Sequence, residues 1–413
     1  MTKYILVFLF VIFDITSAMS NPFSGQFEPD RDFVLRRDSR TKNKALSIQS
    51  TTMDALQYYA KSTNMAKIVA FSGGGVRGIG PASVCADIEH VTKKSMADIF
   101  HMFSGTSTGG IIAAGLTMQD PHSGEEKSLY SAEDIVNLYS SECKTIFTPR
   151  SPLGSFFVSK YKTKPAYQTF EKLFKNVKLS DIRPDCDLLI PYYNLTNNRT
   201  GFFKSHKARN IALARTQDFY LKDVIASTTA APTYFKEFKL STVHNKEHSK
   251  ISRTNYIYAV DGGIAANDPA LCALTEAMSI YPNADAFLLV SMGTGHCVSE
   301  VHPKGLLGWA KNISTVLMDN SSDMTSHMLE KFGMHSNKPV FFSRLQFDIS
   351  KTYEEMDNTS QDNLSYLEHQ ALSTDSILTK TKKLTAILKE SNKVDRPTLT
   401  GDSPNKSSNF IEI

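Results

Sequence analysis

Residues 103–110 read Phe-Ser-Gly-Thr-Ser-Thr-Gly-Gly, and their reading decides the fold. Gly105, Ser107 and Gly109 make a G-x-S-x-G. The apolar run 99–103 leads in and the helix-like run 111–116 leads out. Strand, sharp turn, helix is the context of a nucleophile elbow, in which a serine hydroxyl is lifted above the end of a sheet. The flanking glycines are needed because side chains there would strike strand, helix or substrate. A serine hydroxyl is a poor nucleophile alone, so the reading requires a base and donors for a developing oxyanion.

Upstream, the apolar run 67–71 reads as a buried strand and enters Ser72-Gly73-Gly74-Gly75-Val76-Arg77-Gly78, with a helical pattern over 81–90. Glycines at a strand-to-helix turn leave backbone N–H groups uncovered, and a helix N-terminus adds a positive field suited to an anion. The stretch also fits G-x-G-x-x-G. A dinucleotide site wants an acidic residue ending a second strand about 20 residues on. Glu89 and Asp98 fall in range, but neither ends a convincing strand.

The base candidate is Asp261, which follows the strand-like run 256–260 and opens Asp261-Gly262-Gly263. Ligands gather at the carboxyl ends of strands in open α/β sheets. Asp-Gly is also an ordinary turn dipeptide. A conventional triad runs Ser, acid, His; His296 satisfies that order, and His101 lies just before the elbow.

Taken together, the glycine loop 73–78, the elbow 105–109 and Asp261-Gly262-Gly263 resemble the signature set of the patatin-like phospholipases. Residues 226–235 (Ala-Ser-Thr-Thr-Ala-Ala-Pro-Thr-Tyr-Phe) and Asn267-Asp268-Pro269 are similar to that family as well, and the likeness spans about 67–295. The resemblance implies a lipid acyl hydrolase with Ser107 and Asp261 as a catalytic dyad and no catalytic histidine. It implies an oxyanion hole built from Gly73, Gly74, Gly75, Arg77, Gly78 and Thr108, with Gly74, Gly75 and Thr108 giving their N–H groups. Arg77 is placed to favour an anionic headgroup or to pack on the domain. The expected fold is α/β, a mostly parallel central sheet with helices on both faces in a three-layer sandwich. No metal or organic cofactor is needed. The expected partner is a phospholipid or other acyl lipid at a membrane or micelle surface, with any protein activator unknown. A storage or lipid-surface-binding protein with incidental esterase activity is the alternative.

Composition agrees with a folded enzyme: 413 residues, 41% hydrophobic, 21% charged. A net charge of +4 is too small a surplus to argue for nucleic acid, and it suits an anionic lipid surface. Five cysteines with no C-x-x-C suggest neither a disulfide framework nor a zinc site. At the N-terminus Lys3, the apolar run 4–13 and Thr16-Ser17-Ala18 have the layout of a secretory signal peptide over 1–18, with an uncleaved membrane tether as the rival. A polar linker over 19–64, the catalytic domain over 65–300, a helical extension over 301–390 and a disordered tail over 391–413 complete the expected organisation. Strands are expected at 67–71, 99–104, 186–194, 256–260 and 286–292, with late strands at 339–342 and 344–347. The insert 121–178, rich in Tyr and Phe, reads either as a lipid-facing cap or as core packing.

Overall fold

The computed structural model describes residues 56–57, 59–60, 64–123, 127–150, 159–247, 256–297, 316, 321–332, 336–391 and 410–412. Residues 1–18, expected as a signal peptide, nearly all of the expected linker, Phe156 and Phe157 of the insert, and most of the expected tail lie outside them.

The strands are β1 (Met65–Phe71), β2 (Met102–Gly105), β3 (Asp187–Asn194), β4 (Arg199–Lys204), β5 (Phe238–Leu240), β6 (Ile257–Asp261), β7 (Ala286–Met292), β8 (Val340–Leu345) and β9 (Phe410–Glu412). Among the described residues they form one nine-stranded sheet in the order β5-β6-β3-β2-β1-β7-β8-β9, with β4 also on β3. From β3 through β9 every neighbour on that path is parallel. β4, β5 and β6 are antiparallel additions at one side.

Parallel strands buried on both faces read as continuous apolar runs, and β1 explains why. Met65, Val69 and Phe71 enter one core, and Ala66, Ile68 and Ala70 enter the other. β7 divides in the same way, Leu288 and Val290 against Phe287 and Leu289. The first core is covered by α1 (Ile79–Thr92), α2 (Thr108–Thr117) and α3 (Ala132–Ile146). The second is covered by the Ala270–Ile280 helix through Ala270, Ala273, Leu274 and Ala277. This is the three-layer α/β sandwich expected. The insert supplies α3 and α4 (Thr163–Phe174); Tyr139, Phe170 and Phe174 are buried, so it is core packing at least in part.

The late strands differ from the sequence reading. Residues 339–347 hold one strand, β8, because buried Ser343 stays in register opposite Val290 instead of breaking the run. β8 extends the catalytic sheet, so the region after residue 300 is no purely helical addition. Two helices, Gln361–Ser373 and Asp375–Glu390, then pack on α1 with Leu364, Leu367, Leu384 and Leu388 buried. In the tail expected to be disordered, Phe410–Glu412 pairs with β8 as β9.

Candidate active site

The elbow forms where β2 turns into α2. Ser107 sits there at φ 54°, ψ −121°, a left-handed region that a side chain adopts at a cost of about 1–3 kcal/mol. The flanking glycines are steric necessities. A Cβ on Gly105 would lie 2.0 Å from the Gly109 carbonyl oxygen, and one on Gly109 would lie 2.3 Å from that of Phe71. The Ser107 N–H donates to the Thr228 hydroxyl (3.0 Å), which donates onward to the Pro191 carbonyl (2.8 Å). Thr228 thus ties the strained turn to β3. Nothing in the sequence around Thr228 marks this role, because a side chain bonded to a distant backbone N–H leaves no local signature.

Asp261 reaches the same place by an unexpected route. It ends β6, an antiparallel strand, whose carboxyl end ordinarily lies at the opposite edge from that of its parallel neighbours. β2 pairs with the first residues of β3 (Asp187–Leu189) and β6 with the last (Tyr192–Asn194). Running in opposite directions along β3, the ends of β2 and β6 converge. The Asp261 N–H is held by the Ala230 carbonyl (3.1 Å), so segment 226–235 braces both members of the pair.

Asp261 is 1% exposed. Burial pushes its pKa up to about 7, against the lowering effects of the Gly263 N–H and the Ser107 hydroxyl. The Gly263 N–H donates to Oδ1 at 2.7 Å. The Ser107 hydroxyl is close enough to the carboxylate to favour its ionised form. Oδ2 is buried with no hydrogen-bond partner among the described residues. A buried acceptor left open in this way calls for an explanation, since most buried polar groups in folded proteins are hydrogen-bonded.

The glycine loop lies alongside. Gly73 donates its N–H to the Asn267 carbonyl (3.1 Å), and Val76 donates its own to the Met356 carbonyl (2.8 Å). Gly73 therefore shapes the loop but has no N–H to give. Between these tethers the N–H groups of Gly74 and Gly75 make no hydrogen bond among the described residues. That of Thr108, first residue of α2, is one of the orphan donors of a helix start. Gly75 must be glycine twice over: its φ is +60°, and a Cβ there would lie 2.0 Å from the Met356 oxygen. Arg77 is buried and its Nε donates to the Gly74 carbonyl (3.4 Å). It braces the loop and does not line the cavity. Gly78 leaves room for the 2.5 Å hydrogen bond between the Thr108 and Tyr139 hydroxyls.

Neither histidine joins Ser107. His101 is buried at the start of β2, the far end of that strand, and its Nδ1 accepts the Lys67 N–H (3.0 Å). His296 lies past β7 in a bridge to Asp348.

Above Ser107 opens a cavity. Ile111, Leu138, Ile146, Phe147, Phe170 and Phe235 give it an apolar wall, and Gly75, Thr108 and Met356 share its lining. An apolar lining of this kind is typical of a ligand pocket. Among the described residues, no group of three or more His, Cys, Asp or Glu side chains could hold a metal ion.

The sheet and the sharp strand-to-helix turn at Ser107 place the chain among α/β proteins with a mostly parallel sheet. The patatin-like phospholipase family model matches residues 69–274. Patatin-like protein 2 of Arabidopsis thaliana is 30% identical over 305 residues, covering 65% of this chain and 71% of that one. Patatin group J-1 of Solanum tuberosum is 26% identical over 337 residues, covering 75% and 83%. The chain belongs to the patatin-like phospholipase family.

Proposed function

We propose that the protein is a serine lipid acyl hydrolase that cleaves fatty acyl esters of phospholipids through a Ser107–Asp261 dyad. The observation that carries this is the Asp261 carboxylate: buried, raised to about 7, with one oxygen open, beside a serine on a strained elbow. A carboxylate whose pKa approaches the working pH is a competent base.

Ser107 Oγ attacks the ester carbonyl carbon and its proton passes to Asp261. The tetrahedral oxygen is received by the N–H groups of Gly74, Gly75 and Thr108. Collapse breaks the ester C–O bond, and Asp261 returns the proton to the departing lysolipid oxygen. Water, deprotonated by Asp261, then attacks the acyl-serine; the acyl C–Oγ bond breaks, Asp261 returns the proton to Ser107 Oγ, and the fatty acid is released. The apolar cavity holds the acyl chain throughout. The same reading places the enzyme outside the cell that makes it, residues 1–18 serving as export signal.

The test is to quench turnover of a slow long-chain ester in acid and weigh the Ser107 peptide. An added acyl mass on Ser107 is expected. Turnover with the adduct on another residue, or with none when release is rate-limiting, refutes the acyl-enzyme.

A further inference from the structure

The chain returns to the site well beyond the stretch 69–274 that the family model matches. Residues 354–358 cross the glycine loop between a 3-10 turn, Lys351–Tyr353, and the Gln361–Ser373 helix. Both ends of this strap are anchored on that helix. Tyr353 stacks on Tyr366 with ring centroids 3.8 Å apart, and the Asn358 carbonyl accepts from Nδ2 of buried Asn363 at 2.7 Å. In the middle of the strap the Met356 carbonyl accepts the Val76 N–H.

The next residue is Asp357. Its side chain is 6% exposed. Oδ2 accepts from the Tyr161 hydroxyl and from the Lys160 ammonium, each at 2.5 Å. Lys160 and Tyr161 are themselves fixed: their N–H groups donate to the Thr233 and Tyr234 carbonyls (2.9 and 2.8 Å), and Tyr161 stacks on Tyr234. Tyr234 and Met356 both line the cavity above Ser107. Asp357 thus joins the strap, the insert and the cavity wall.

Three successive glycines cannot hold a direction by themselves, since glycine has the widest backbone freedom. The loop needs outside tethers, and the two donors Gly74 and Gly75 lie between the Gly73–Asn267 and Val76–Met356 hydrogen bonds. We propose that Asp357 is a positioning residue for the hydrolase reaction: by clamping the strap to Tyr161 and Lys160 it holds the Met356 carbonyl on Val76 and so aims the Gly74 and Gly75 N–H groups at the oxyanion. This rests on reading that loop as the oxyanion hole. Displacing donors by a fraction of an ångström costs part of the 10²–10³-fold that loss of one whole donor costs.

The experiment compares the full chain with Asp357→Ala, Asp357→Asn and Tyr161→Phe on p-nitrophenyl butyrate, a short ester that does not depend on the long acyl wall. Active sites are titrated with a fluorophosphonate, and amide hydrogen exchange is followed at Val76. In Asp357→Ala, kcat per titrated site falls about tenfold or more while KM stays within about threefold. Val76 exchanges faster. Asp357→Asn, which still accepts from Tyr161, recovers most of the loss, and Tyr161→Phe loses an intermediate amount. A residue serving only the fold would lower the titrated fraction and leave kcat per site unchanged. Wild-type kcat per site and wild-type Val76 exchange in Asp357→Ala overturn the proposal. If that variant fails to fold, the same two results in Tyr161→Phe overturn it. A wild-type protein with neither turnover nor labelling would sink the hydrolase reading itself, and this inference with it.

Discussion

Asp261 joins chemistry and stability in one side chain. Its ordinary pKa of 3.8 is raised to about 7 in the fold. The base must be ionised, so kcat/KM of the free enzyme should climb with pH to a midpoint near 7 and then level off, as a pH–rate profile on a soluble ester will report. Stability has the opposite slope. Between pH 3.8 and about 7 the folded state holds a proton that the unfolded chain has released, so stability falls as pH rises through that window and stays low above it. Asp261→Asn should therefore be almost inactive, yet more stable than wild type at pH 8 by about 1–4 kcal/mol in denaturant melts. A variant less stable than wild type at that pH would contradict the burial argument. His296→Ala should cost less than about tenfold in rate, because the reaction is read as proceeding through Ser107 and Asp261 and the His296 backbone is committed to a bridge with Asp348. Inactivation of a folded His296→Ala protein would restore the triad.

The elements show which parts of this arrangement a sequence can carry. Strands β1, β2, β3, β6 and β7 lie within about three residues of their expected positions: β1, β2, β3 and β7 are largely buried runs, and β6 is a short run of β-formers closed by Asp261-Gly262, although its Tyr258 is exposed. The elbow and the glycine loop were legible because close backbone approach admits only glycine. β4 and β5 were missed, being short antiparallel edges with exposed Arg199 and Lys239. The antiparallel sense of β6 left no trace either, since direction comes from pairing, not composition. The commitment of Gly73 to Asn267 and the arrival of Met356 are backbone contacts over long separations, invisible in residue type. Their consequence is testable at the loop. Gly75→Val forces a side chain into φ +60° and against the Met356 oxygen. It should fold nearly normally, push the strap aside and lose about 10²–10³ in kcat. A fluorophosphonate that labels this variant at Ser107 as fast as wild type would remove the loop from the mechanism.

At the scale of the whole molecule, the catalytic sheet continues past residue 300 into β8 and β9, and two C-terminal helices cover α1. The site draws on this late region through Met356, so truncation after β7 should abolish activity as well as destabilise the fold. The export reading concerns residues 1–18, outside the described residues. N-terminal sequencing of the protein from its native host should find a start near Met19, and bulk material beginning at Met1 or Thr2 would exclude cleavage. The most direct test of the central claim is fatty-acid release from phosphatidylcholine mixed micelles by wild type beside Ser107→Ala. Loss of a nucleophile costs on the order of a million-fold in rate. The account predicts steady release by wild type and none above background from the folded mutant; a mutant retaining more than about a tenth of wild-type activity, or a wild type that releases nothing, would contradict it.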